Sequence, residues 1–433
     1  MLMENFNVEY FKENGIQFIQ FQFTTISGEL KEVEFPIENW ESMKDGTGVD
    51  GSSLGFLSTE QSDMRAIPDY ETFSILPWDS RVGRFICNLY NNNNQPYPTD
   101  PRSILIKDLK EAEKKGYYFK VRPELEWYFL DDDLEPADEG SYMCTVPEDE
   151  LHLVRREIAS SMITMFTHGT PHTIHHEVGP AQQEIELAKE YALYQADNVQ
   201  TAKVITKQVA LEHDLVSTFM PKPFQEEAGS GLHIHIYMED KEGNNLFAKE
   251  DGISDELKYF IGGIIHHADS LSALLNPSTN SYKRLVPNHE APVYKSWGIG
   301  NRTALIRVPG YENKAHLEYR AGDASMNIYL GMAALFAAGL DGIEKKIKPN
   351  EPTLANVDHM SLAERDKLGI TRLPVDFNAA VEAFRVSSFM KTLCGESLFN
   401  ILLEKYNLIL ESHRVAQRGD YEHEWELEQF LNC

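Results

Sequence analysis

This 433-residue chain carries 40 lysines and arginines against 68 aspartates and glutamates, a formal charge of −28, with 42% hydrophobic and 11% aromatic residues. That length suggests roughly two or three domains and supplies a large core, which excludes a disordered chain or a mini-protein. Charge of this sign repels phosphodiesters and anionic lipid, which argues against nucleic-acid and membrane-surface roles unless the few bases cluster.

The longest strongly apolar stretch, residues 329–340, is well short of the roughly 20 residues a bilayer demands. Glu4, Asn5 and Asn7 spoil any signal-peptide core, so a cytoplasmic protein is expected. Four cysteines, Cys87, Cys144, Cys394 and Cys433, are scattered without a CxxC pair, the pattern of reduced thiols rather than disulfides or a zinc site.

In chain order, residues 16–36 alternate around Phe18, Ile19, Phe21, Phe23, Leu30, Val33 and Phe35, with Ser27 and Gly28 between, and predict a β-hairpin. A Gly- and Ser-rich stretch at 46–53 precedes two strand-like runs, 72–78 and 84–90. The polar tract 91–101 marks a domain boundary. Beyond it the pattern predicts a helix at 103–115, a strand at 117–130, helices at 148–166 and 191–214, short strands at 234–238 and 317–320, and helices at 327–346 and after Phe377. The class is α+β.

Within the 117–130 strand, period two sends Glu124 and Glu126 to one face while Leu125 and Trp127 point into the apolar layer. A single such pair is more often a solvated edge. Several segments repeat the theme, however. Glu177 and Glu184 stand among apolar and small residues, His233 and His235 share a face, and Glu318 and Arg320 are again two apart. Hard oxygen ligands with one or two imidazoles suit Mg2+ or Mn2+. Such ions clamp nucleotide phosphates, and Arg284, Arg302 and Arg307 could add guanidinium forks. Neither a P-loop nor a GxGxxG motif is present. The spacing supports metal-assisted phosphate chemistry and identifies no substrate.

Read in order, these segments resemble glutamine synthetase of the type I bacterial and archaeal form. The resemblance runs through Asp50-Gly51-Ser52-Ser53, Pro123-Glu124-Leu125-Glu126, the stretch from His175 to Glu184, Ala196 to Thr201, Thr218 to Pro223, Gly229 to His233, and Asn276-Pro277 continuing into Asn280 to Pro287. It implies an N-terminal β-grasp domain over 1–98 and a larger catalytic domain over 99–433, built on a curved antiparallel sheet with surrounding helices.

It implies ATP-dependent ligation of ammonia to the γ-carboxylate of glutamate through γ-glutamyl phosphate. Glu126, Glu177 and Glu184 would hold one metal ion, and Glu124, His233 and Glu318 a second. Arg284, Arg320 and Gly229 would bind glutamate, Arg302 and Arg307 the transferring phosphoryl, and His235 the nucleotide phosphates. Asp50, Ser53, Tyr142 and Glu177 would form the ammonium site, with Glu290 as a flap acid. Sites shared between neighbouring subunits of a dodecamer, two stacked hexameric rings, are implied as well.

Departures from the family pattern include a one-residue-short segment after Ser53, with Ser58 near a common arginine or lysine position, Ala228 before the Gly-Ser-Gly loop, Tyr237 at a common serine position, a compressed stretch at 314–318, and Ile328 in place of a proline. They leave open a relative that uses an alkylamine or polyamine to make γ-glutamylamides, or a catalytically silent structural or sensing homologue. The terminal segment 421–433 has helical apolar spacing and could serve a contact between chains or intrachain packing.

Overall fold

The structure, a computed structural model, describes residues 6–56, 62–250, 252–289, 291–310, 315–419 and 421–433. Its first sheet comprises β1 (Phe18–Thr24), β2 (Leu30–Pro36), β3 (Thr47–Asp50), β4 (Asp63–Pro68), β5 (Ser74–Leu76) and β6 (Asp79–Tyr90). The order is β2-β1-β6-β4-β3, with β5 on β6.

The expected hairpin is β1 and β2, and β1 runs parallel to β6. Phe21 and Phe85, opposite one another on these two strands, join Phe11 and Trp40 in an aromatic core, with ring centroids 6.1 Å apart for Phe21–Phe85 and 5.6 Å for Trp40–Phe85.

Two readings of this half need correction. The 72–78 run is a 3-10 turn, Tyr70–Thr72, followed by the short β5, because Asp69 caps the turn at Glu71 N and Thr72 Oγ1 donates to Asp69 O. The Gly- and Ser-rich stretch hides β3, which β4 completes in register Val49↔Met64.

The second sheet contains β7 (Tyr118–Leu130), β8 (Pro171–His176), β9 (Gln182–Leu187), β10 (Glu190–Tyr191), β11 (Val216–Thr218) and β12 (Leu232–Glu239). After a separate hairpin of β13 (Ala248–Lys249) and β14 (Gly252–Ile253) come β15 (Trp297–Ile299), β16 (Ile306–Val308) and β17 (Leu317–Tyr319). Its order is β15-β16-β17-β12-β7-β9-β8, with β10 and β11 also on β7. The pairing is antiparallel except at β15 and β16, which run parallel. Leu125 and Trp127 are fully buried on the face away from the acids.

The helix Pro101–Lys114 starts where Asp100 caps it, accepting from Ser103 N at 3.2 Å, with proline at the first position. Such a cap is worth about 1 kcal/mol. The helix expected from 148 begins at His152, since Glu148 N and Asp149 N turn back onto Thr145 O. Helices Ala192–Glu212, Asp255–Leu275 and Ile328–Lys345 pack behind the second sheet. The terminal helix Glu422–Phe430 packs within the chain, with Trp425 and Phe430 against Met220 and Ala416.

A buried polar joint fastens the two sheets' surroundings. Arg102 forks onto Asp197 at 2.9 and 2.8 Å and reaches Asn88 at 2.9 Å and Asp69 at 2.8 Å, while Tyr329 donates to Asp197 at 2.7 Å. The cysteines are free, with Cys87 and Cys394 buried.

Candidate active site

Register builds the site, because residues directly opposite on paired strands share a face. On β7, Glu124 faces His233 of β12 and Glu186 of β9, and Glu126 faces Glu184 of β9. Glu318 of β17 lies between His235 of β12 and Arg307 of β16, and His175 of β8 faces Glu184. Six strands thus deliver charged side chains to one surface. Glu177 follows β8, with its carboxylate accepting from Val178 N at 2.7 Å.

A cavity of about 180 Å3 opens on this surface. It is lined by Glu124, Glu126, Glu177, Glu184, Glu186 and Glu318, by His175 and His233, by Tyr142 and Gly229, and by Arg284, Arg302, Arg307 and Arg320. A second cavity, about 820 Å3, shares Glu124, Glu186, Arg302 and Arg307 and adds Arg122, His235, Tyr237 and His316. Tyr237 stacks on His316 with ring centroids 4.3 Å apart.

The electrostatics divide the carboxylates into two groups. Burial works against the charge of Glu318, but Arg320 and neighbouring histidines hold its pKa down to about 2. Glu318 is bonded to Arg320 and lies 2.7 Å from Arg307. Burial likewise opposes the charge of Glu124, and His233 and His235 more than offset it, at 3.2 and 2.6 Å.

Glu177 and Glu184 behave in the opposite way. Burial first, then repulsion from Glu126 and other carboxylates, pushes Glu177 up to about 8 and Glu184 to about 7, although His175 stands 3.1 Å from Glu184. Carboxyls raised by burial and by each other lack a counter-cation, and a divalent ion supplies one. The donor set therefore fits hard, oxygen-preferring ions.

The end of the pocket formed by Gly229, Gly231 and Arg284 is close-packed. A Cβ at Gly229 would lie 2.7 Å from Arg284 Cγ, and one at Gly231 2.6 Å from Arg284 Nη2. Arg284 is buried and donates to Ala321 O at 2.9 Å and Arg320 O at 3.1 Å. Ala228 takes part through its backbone, its carbonyl accepting from Tyr128 at 2.7 Å.

Not every expected residue gathers here. Asp50 and Ser53 do not line either cavity. Asp50 ends β3, exposed, and accepts from Ser53 Oγ at 2.6 Å and Ser52 Oγ at 2.7 Å, which holds its pKa down to about 2. Glu290 lies outside the described residues.

Among the described residues two three-ligand groups lie on the sheet, Glu124 with His235 and Glu318, and His175 with Glu184 and Glu186, the candidate ligand atoms of each within 4.8 Å of one another. His233, expected in the first set, lies 3.2 Å from Glu124 and 3.8 Å from Glu318. Residue patterning missed Arg122 and Glu186, which sit two positions from Glu124 and Glu184 on the same strand faces. Period two was the signal that could have found them.

Two family models match the chain: the glutamine synthetase β-grasp domain over residues 15–92 and the glutamine synthetase catalytic domain over residues 98–430. Relatives named glutamine synthetase include one from Thermotoga maritima, 40% identical over 97% of each chain. Another, from Pyrococcus furiosus, is 42% identical over 97% of each. A solved GmaS/ADP complex superposes with a TM-score of 0.86 at 30% identity, covering 99% of this chain and 100% of that one. These matches define a ligase, α+β in fold with a β-grasp N-terminal part. The chain belongs to the glutamine synthetase family.

Proposed function

We propose that this enzyme uses ATP to join ammonia to the γ-carboxylate of glutamate, through γ-glutamyl phosphate, and releases glutamine. The observation that carries this reading is one cavity, opening on the second sheet, in which six glutamates meet four arginines beside a second, larger cavity.

Glu126, Glu177 and Glu184 would hold one divalent ion, Mg2+ or Mn2+, and Glu124, His233 and Glu318 the other. When bound, such ions would supply the positive charge that offsets the phosphate charge during phosphoryl transfer. The nucleotide occupies the larger cavity, with His235 near its phosphates. Arg302 and Arg307 line both cavities, where guanidinium groups stabilise the charge developing on the transferred phosphoryl. Arg284 and Arg320, with the loop at Gly229, orient glutamate so that its side-chain carboxylate faces the γ-phosphate. Phosphorylation converts that carboxylate oxygen into a phosphate leaving group, which ammonia displaces.

Ammonia arrives as ammonium at neutral pH and must bind an anion and lose a proton. Asp50 stays ionised across that range. Because Asp50 and Ser53 lie off the cavity of their own chain, they would complete the site of a neighbouring subunit beside Tyr142 and Glu177, in a dodecamer of two hexameric rings. Glu290 would act as the flap acid. The reading places the enzyme in the cytoplasm. Among the described residues no helix is long and apolar enough to cross a membrane.

The likeness to GmaS supports a second reading, a γ-glutamylamide synthetase acting on an organic amine. The ionised, hydroxyl-held Asp50 favours ammonium. Phosphate release from ATP and glutamate distinguishes them when ammonium, methylamine, putrescine and no amine are compared. Release specific to ammonium is expected. Preference for an organic amine would replace the first reading with the second, and no release with Mg2+ or Mn2+ would indicate a silent homologue.

A further inference from the structure

The motif from Asn276 to Pro287 and the terminal segment contain groups that this chemistry leaves unused: Asn280, Lys283 and Glu426. Asn280 joins the two segments that build the glutamate end of the pocket. Its Oδ1 accepts from Lys222 N at 2.8 Å and its Nδ2 donates to Lys222 O at 3.0 Å, so one amide reads both backbone groups of Lys222. Lys222 leads into the loop carrying Gly229 and Gly231, and Asn280 precedes the short helix Ser281–Arg284. Since both glycines touch Arg284, this clasp sets where loop and guanidinium meet.

Glu426, on the terminal helix, is 2% exposed. Its Oε2 accepts from Asn280 Nδ2 at 3.1 Å and from Lys283 Nζ at 2.8 Å. A carboxylate can only accept, so it holds the Asn280 amide with its nitrogen toward both oxygens, the orientation that reads Lys222. Lys283 also bridges to Glu422 at 3.0 Å, and Glu422 lies 3.1 Å from His413. The single lysine ammonium thus bridges the two acids of the His413, Glu422 and Glu426 group and offsets one of their two charges. Glu426 Oε1 is buried without a donor among the described residues. An orphaned buried carboxylate oxygen opposes stability, which sets this side chain apart from a residue that only staples a helix.

We infer that Glu426 is a positioning residue for the substrate: through Asn280 and Lys283 it holds Arg284 and the glycine loop in the geometry that binds glutamate. The inference rests on the assignment of Arg284 to glutamate. The terminal helix thereby becomes part of the pocket's scaffold rather than a peripheral attachment.

Steady-state kinetics on the full-length enzyme tests it. Glu426→Ala and Lys283→Met should each raise the KM for glutamate about five- to tenfold, with kcat and the KM for ATP within about twofold, as expected when binding alone is loosened. Glu426→Gln, which keeps an acceptor for Asn280, should recover most of the loss. Trp425→Phe, which removes a helix-anchoring bond to Ser412 at 2.8 Å, should lower the melting temperature without moving the KM for glutamate.

Lys283 is half exposed, so its variant keeps the test open if Glu426→Ala fails to fold. A wild-type KM for glutamate in Lys283→Met, or in a folded Glu426→Ala, would overturn the inference, as would Trp425→Phe raising the KM equally. Arg284→Lys, run alongside, separates the two levels. If it raises the KM and the Glu426 and Lys283 variants do not, only the coupling fails. If it does not, the glutamate assignment itself fails.

Discussion

Two clusters of buried charge in this fold follow opposite rules. At the joint between the two halves, Arg102 meets Asp197, Asp69 and Asn88, and Tyr329 completes the Asp197 carboxylate. In the pocket, Glu126, Glu177 and Glu184 face one another, and Glu177 and Glu184 are forced toward the protonated form. The first cluster pairs opposite charges, whereas the second sets like charges against one another. Buried charges with partners serve the fold, whereas buried like charges without them mark a site.

The sharpest way to break this contrast is Glu126→Ala, which should lower both glutamyl phosphate formation and amide formation at least about a thousandfold. Retained turnover would remove Glu126 from the ion site. At the joint, Asp197→Ala should cost about 3–5 kcal/mol by leaving Arg102 buried without its partner. A denaturant midpoint close to that of the parent protein would show the joint to be dispensable. Asp50→Ala should reduce ammonium-dependent amide formation about a hundredfold while sparing glutamyl phosphate formation. Equal loss in both steps would place Asp50 elsewhere in the mechanism.

The smallest effect has the most telling sign. Glu184→Gln should stabilise the metal-free protein, by about 1 kcal/mol at pH 8, because it removes a charge that burial opposes. The pH dependence follows the same logic. With folded-state values raised from 4.5 to about 8 for Glu177 and about 7 for Glu184, their stabilising contribution is complete at acid pH and is lost as pH rises through those values. The rise in melting temperature on adding Mn2+ should therefore be larger at pH 8 than at pH 5.5. A stabilising effect confined to the lower pH would contradict it.

Much of the pocket was legible in the sequence because strand period two acts within a single segment. It placed Glu124 with Glu126, His233 with His235, and Glu318 with Arg320. Cross-strand register was not legible. Nothing local shows that Glu184 faces Glu126, or that Arg307 and His235 flank Glu318. The hairpin of β1 and β2 was visible through its aromatic alternation, while β3 escaped because Thr47, Gly48, Val49 and Asp50 carry little apolar signal. Asp50 illustrates the remaining limit. Its turn was readable from Asp-Gly-Ser-Ser, where the serine hydroxyls donate to the carboxylate, but its position off both cavities is a property of the whole fold.

Calorimetric titration of Mn2+ into the metal-free enzyme at pH 7, in two buffers of different ionisation enthalpy, bears most directly on the claim that this pocket is built for divalent cations. Binding should release protons, since an ion displaces them from Glu177 and Glu184, and Glu126→Ala should abolish the tight phase. Binding without proton release, or binding unaffected by Glu126→Ala, would contradict it.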